Sequence, residues 1–137
     1  MNDTLTYPYI HEAFQYLEDW ESRYQFIIDL GNKLPSMPEE FKNTHTRIHQ
    51  CMSMVWIYPY LSEDGTVAFH GHSDTDTIKG IVAILIAIYA GKLPQEIVQI
   101  DTDDKFEELG LFDHLSPTRH VGVYAMVEQT RKQVGEL

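Results

Sequence analysis

Two periods of apolar residues run through the chain, one helical and one extended. From Ile10 to Lys33, residues Phe14, Leu17, Trp20, Tyr24, Ile27, Ile28 and Leu30 recur at spacings of one to four, mostly three and four. That spacing lays an apolar stripe along one face of a helix. Asp19 is a good N-cap type and can split the stretch into a short first helix and a longer second one from near Trp20. The second helix is expected to end by Leu34, because Pro35 biases the residue before it away from helical angles. Pro35 to Thr46, with Pro38, Glu39 and Glu40 and no periodicity, reads as a surface connection.

From Thr46 the period shortens to two. Thr46 to His49 is expected to pair with Met52 to Tyr60. Counting from Cys51, residues Ser53, Val55 and Ile57 fall on one side of a strand while Met54, Trp56 and Tyr58 fall on the other. Cys51 therefore stands at a strand's mouth, in a turn between extended segments. Ser62-Glu63-Asp64-Gly65 carries the Asp-Gly pair of a hairpin, and Thr66 to His72 returns as a third strand with Val67 and Phe69 on one face. So small a sheet needs a cover.

The helical period then resumes. Ser73-Asp74-Thr75-Asp76 has the spacing of a capping box and predicts a helix from about Thr77 to Ala90, closed by Gly91 and Pro94. Near-continuous apolarity from Ile81 to Ile88 predicts burial on most sides. Pro94 to Ile97 and Asp104 to Leu109 make short helical turns separated by Asp101, Asp103 and Asp104. The last helix has Ser116 as N-cap and Pro117 at its first position, with Val121, Tyr124, Ala125 and Val127 on one stripe, and its tail is expected to fray past Lys132. This order predicts an α+β fold: a small antiparallel three-stranded sheet packed against a layer of helices, in one domain spanning residues 1–137.

Charge narrows the function classes. With 10 basic and 21 acidic residues the formal net charge is -11, which repels nucleic-acid phosphates and anionic lipid surfaces and attracts a partner protein with a basic face. The longest apolar stretch, Ile81 to Ala90, is far shorter than the roughly 18 to 20 residues of a membrane-spanning helix. One cysteine cannot form an intrachain disulfide. Met1 to Tyr9 has no secretory or transit pattern, so a cytoplasmic location is expected.

Cys51 is the first candidate for chemistry. The bland reading of a lone cysteine is a small buried hydrophobe. Its position in a turn beside Gln50, Ser53 and His49 favours a reachable thiol. Near an ordinary pKa of about 8.5 little of it is thiolate at neutral pH, and a nearby cation lowering it by about two units would make it mostly thiolate. Seven histidines make a cysteine–histidine hydrolytic pair conceivable, but no local protease signature surrounds Cys51. His45, His49, Cys51, His70 and His72 supply a zinc-compatible ligand set, although His45 and His49 share a face only in a helix. Arg119, in the first turn of the last helix, is either a solvated residue or a cation for a carboxylate or a sulfur anion. Asp74 and Asp76 are explained by a helix dipole alone, and Met52 and Met54 by packing or by a soft docking surface.

Together these residues resemble a known family. Gln50-Cys51-Met52-Ser53-Met54-Val55-Trp56-Ile57 is similar to the Cys-x-Ser-x-Val-Trp signature of the SufE-like sulfur-acceptor proteins. Trp20-Glu21-Ser22-Arg23-Tyr24 with Ile27-Ile28-Asp29-Leu30-Gly31 and Leu34-Pro35 resembles the family's second helix. Ser73-Asp74 with Ile78-Lys79-Gly80 resembles its buried-helix entry, and Leu111, His114-Leu115-Ser116-Pro117-Thr118-Arg119, Gly122 and Ala125-Met126 its C-terminal helix. The resemblance implies a SufE-like fold and a sulfur acceptor that activates a pyridoxal-phosphate-dependent cysteine desulfurase. Such a protein carries a persulfide on Cys51 and passes it to a downstream sulfur acceptor or cluster scaffold for iron–sulfur assembly. It further implies that Gln50, Met52, Ser53, Asp74 and Arg119 border the docking surface, and that the cofactor is the partner's, with none held by this chain. The sequence departs from the family at Gln50, where glycine is common, and at Met52 and Met54, where glutamine is common.

Overall fold

The computed structural model describes residues 6–51 and 53–137. Helix α1, Tyr7–Tyr16, starts earlier than its stripe suggests, since Pro8 is tolerated within a first turn. Helix α2, Trp20–Asn32, begins where Asp19 predicts, the Asp19 carboxylate accepting from the Ser22 amide at 2.8 Å. The connection that follows holds a short 3₁₀ turn, Glu39–Phe41.

Strands β1, Val55–Leu61, and β2, Val67–Ser73, form an antiparallel pair in register from Val55↔Ser73 to Leu61↔Val67. Among the described residues the sheet has these two strands, not the expected three. The segment before Cys51 contributes a single bridge, Arg47↔Trp56, flanked by Ile48 N–H to Val55 O and Ile57 N–H to Thr46 O at 2.9 Å each. Two turns leave no room for more. The Asn43 side chain accepts from the amides of His45 and Thr46, folding the chain just before the bridge, and His49 and Gln50 turn it again just after.

Helix α3, Asp76–Tyr89, follows β2 closely and is buried at every residue from Gly80 to Tyr89, lying between α2 and the sheet. The expected capping box is not made. Ser73 ends the strand, its hydroxyl accepting from the Thr75 amide at 3.2 Å, and Thr75 is the N-cap although its side chain accepts from no helix amide. Contact between α2 and α3 is so close that a Cβ on Gly80 would collide with the Ile27 carbonyl oxygen.

Two short helices, α4 (Pro94–Ile97) and α5 (Thr102–Glu108), return the chain; α5 is capped by Asp101 and starts two residues before the expected Asp104. A second 3₁₀ turn, Phe112–His114, leads to helix α6, Pro117–Gly135, whose Ser116 cap accepts from the Arg119 amide. α6 does not fray past Lys132: Val134 is fully buried and holds its end down. Its inner face carries Gly122, Val123, Ala125, Met126 and Val127, whereas Val121 and Tyr124, expected on the buried stripe, are 57% and 47% exposed. The result is a mixed α+β fold of a two-stranded sheet and six α-helices among the described residues. None of these helices is long and apolar enough to cross a membrane.

Candidate functional site

Cys51 sits in the loop that joins the Arg47 bridge to β1, and both legs of that loop are anchored. On the incoming leg Ile48 is buried, and the His49 ring Nε2 is hydrogen-bonded to the Thr44 carbonyl at 2.8 Å. Gln129 of α6 donates to the Arg47 carbonyl at 2.8 Å. On the outgoing leg the Met54 amide donates to Asp74 Oδ1 at 3.1 Å and the Asp74 amide returns a bond to the Met54 carbonyl at 3.2 Å. Thr75 donates to the Ser53 hydroxyl at 2.9 Å. The junction of β2 and α3 thus holds one side of the loop and α6 the other.

Between these anchors the Cys51 side chain turns inward onto α6. Its Sγ lies 2.8 Å from the point a Cβ on Gly122 would occupy, a distance real Cβ atoms essentially never show, so the thiol fills space that only glycine leaves. Cys51 is half-buried against the core, and burial pushes its thiol above the ordinary value, with no charged group contributing. Among the described residues no cation lowers it. Desolvation favours the neutral form of an acid, which here is the thiol.

The remaining predicted residues gather unevenly around this point. Gln50 and Asp74 are exposed, Ser53 is partly buried, and Arg119 lies on the helix face three residues before Gly122, its guanidinium making no hydrogen bond or ion pair among the described residues. Met52 lies outside the described residues. A groove of about 700 Å³ opens beside the loop, lined by His45, His49 and Gln50 on one side and Ala125, Glu128 and Gln129 of α6 on the other. Among the described residues no non-glycine residue has a positive φ, so Gln50 adopts angles open to any side chain, and the loop does not use the freedom of the family's glycine.

The zinc reading fails on placement. His70 stacks between Phe41 and Tyr60, with ring centroids 5.2 Å away on each side, and His72 stacks on Trp56, while Cys51 faces α6. The turn at Asn43 also removes the helix that His45 and His49 would need to share a face. No group of three or more His, Cys, Asp or Glu among the described residues is placed to hold a metal. Two residues that shape the site, Gly122 and Thr75, were not singled out for it from the sequence. Gly122 did leave a signal, since a glycine inside a well-marked helix costs about 1 kcal/mol against alanine and calls for a packing reason.

Comparison with known proteins bears on this arrangement. The family model described as SufE, Fe-S metabolism associated domain, matches residues 9–134. The chain is 37% identical over 127 residues to an uncharacterised SufE-like protein of Rhizobium meliloti, covering 90% of this chain and 91% of that one. It is 36% identical over 127 residues to another of Rhizobium etli, covering 90% and 86%. The solution structure of a hypothetical protein from Thermus thermophilus superposes with a TM-score of 0.77 over 99% of this chain and 97% of that one. At 22% identity that likeness is one of fold.

Proposed function

Because the chain belongs to the SufE family, whose domain is associated with Fe-S metabolism, we propose that it accepts sulfane sulfur on Cys51 from the persulfide of a pyridoxal-phosphate-dependent cysteine desulfurase. It thereby speeds the desulfurase and passes the sulfur on for iron–sulfur cluster assembly. The observation that carries this reading is the lone thiol in a loop anchored at both ends yet resting, half-buried, against a helix. Such a thiol needs no base triad.

The step is an exchange at sulfur. The Cys51 thiolate attacks the outer sulfur of the donor persulfide, forming one S–S bond while the donor's own S–S bond breaks. The donor leaves as a thiolate and takes up the proton Cys51 lost, so the transfer consumes no oxidant or reductant. Its rate follows the thiolate fraction and the access of the attacking sulfur. Burial lowers both at rest, so the protein holds Cys51 in its unreactive form until the loop turns the thiol towards water at a docked donor.

Docking falls to the residues around the loop. By the family resemblance these are Gln50, Met52, Ser53, Asp74 and Arg119; Arg119 has the free guanidinium suited to a partner's carboxylate or to a sulfur anion. The net charge of -11 draws in a desulfurase with a basic face. The cofactor stays with that partner, the downstream recipient is a cluster scaffold or another sulfur acceptor, and the exchange belongs to the reducing cytoplasm. Turnover of the desulfurase, followed as alanine formed from cysteine, is expected to rise when this protein is added and to return to the basal rate with Cys51→Ser. Equal stimulation by the variant would remove Cys51 from the reaction.

A further inference from the structure

The sequence presents Gly122 as a cost. It stands inside the long helix α6, where alanine would be the better helix former by about 1 kcal/mol. Nothing in the backbone requires it, since it lies in regular helix and has no positive φ. What it does is leave a notch one side chain deep, and the group occupying that notch is the Cys51 thiol. A Cβ at Gly122 would stand 2.8 Å from Sγ but 3.9 Å from both the Cα and the Cβ of Cys51. The longer distances are ordinary van der Waals contact. The loop backbone thus tolerates a methyl group at Gly122, and only the sulfur does not.

From this selectivity we infer that Gly122 is a positioning residue: the notch it leaves sets whether the Cys51 sulfur rests against α6 or turns out to solvent. The inference rests on Cys51 as the sulfur acceptor for its meaning in the reaction, while the placement of the thiol stands without it. Filling the notch has a defined consequence. The chain keeps α6, keeps the anchors at Asp74 and Thr75, and moves one atom. By contrast Gly135, near the end of the same helix, has nothing within 4 Å of its Cβ position, so its replacement by alanine reports helix propensity alone.

The elements around the thiol carry Arg47 and His49 on the incoming leg, Asp74, Asp76 and Lys79 at the β2–α3 junction and in α3, and Arg119, His120, Tyr124, Glu128, Arg131 and Lys132 on α6. None of them contributes to the raised thiol, burial being its cause. Turning the sulfur out of the notch removes that cause and returns the thiol towards its ordinary behaviour.

The test compares the wild-type chain, Gly122→Ala and Gly135→Ala by iodoacetamide alkylation of Cys51 across pH. Gly122→Ala is expected to react several-fold faster at neutral pH with its pH midpoint moved down, and Gly135→Ala to follow the wild type. Rates for all three agreeing within about twofold, with the same midpoint, would overturn the role of the notch. A stability cycle tests it separately: Gly122→Ala should raise the thermal midpoint more in a Cys51→Ala background than beside the native sulfur, and additive effects would count against it. Neither readout involves a desulfurase. Failure of Cys51 to take up sulfur would sink the proposed function and leave these results standing, and the reverse holds as well.

Discussion

At the scale of single residues the chemistry turns on how a thiol is kept quiet. Among the described residues Cys51 has no charged partner to make it a thiolate, and burial on Gly122 holds it protonated. The sign of the pH dependence follows. Alkylation of the folded protein should climb with pH and reach its midpoint above the ordinary thiol value, and the midpoint should fall back when the chain is unfolded in urea. The same raised value makes folding stability fall as pH rises from the unfolded-state pKa towards the folded one, because the native state holds the proton longer. A native midpoint at or below that of the unfolded chain would contradict this. Part of the site at this scale was readable in advance: the period of two holds at Val55 and Ile57, but β1 begins at Val55 and not at Met52, so Cys51 stands in the loop four residues before the strand. Gly122 was not readable, because the contact that gives it meaning joins residues far apart in the chain. Asp74 illustrates the same limit. Its place at a helix entry was legible, but its bond to the Met54 amide appears only once β2 has paired with β1.

Among the elements, those ended by local signals matched expectation and those needing distant partners did not. Asp19 and Ser116 cap the helices they were read to cap, through amides three residues on in the sequence. The strand expected at Thr46 to His49 failed because Asn43 and the turn at His49 and Gln50 confine that segment to one bridge. The capping box at Ser73 failed because pairing with Val55 claimed that residue for the strand. Val134 kept the end of α6 in place by burial that no helix signal records. Element packing also separates two glycines that look alike in sequence. Gly80→Ala would drive a Cβ against the Ile27 backbone at the α2–α3 crossing, where nothing flexible can yield, and should cost about 3 kcal/mol or more by overpacking. Thermal or urea unfolding measures it. A cost under about 1 kcal/mol would show that the two helices can part without loss.

For the molecule as a whole, α3 is the buried element against which α2 and the sheet pack, and β1, α6 and the β2–α3 junction converge on one loop. The chain adds a net charge of -11, which discourages nucleic acid and favours a basic protein partner. Zinc chemistry finds no matching arrangement among the described residues, and membrane insertion no helix suited to it. The most direct test is the intact mass of the protein after incubation with a cysteine desulfurase and cysteine under non-reducing conditions. The sulfur-acceptor account predicts a gain of one sulfur atom, located on Cys51 and absent from Cys51→Ser. An unmodified Cys51 beside an active desulfurase would contradict it.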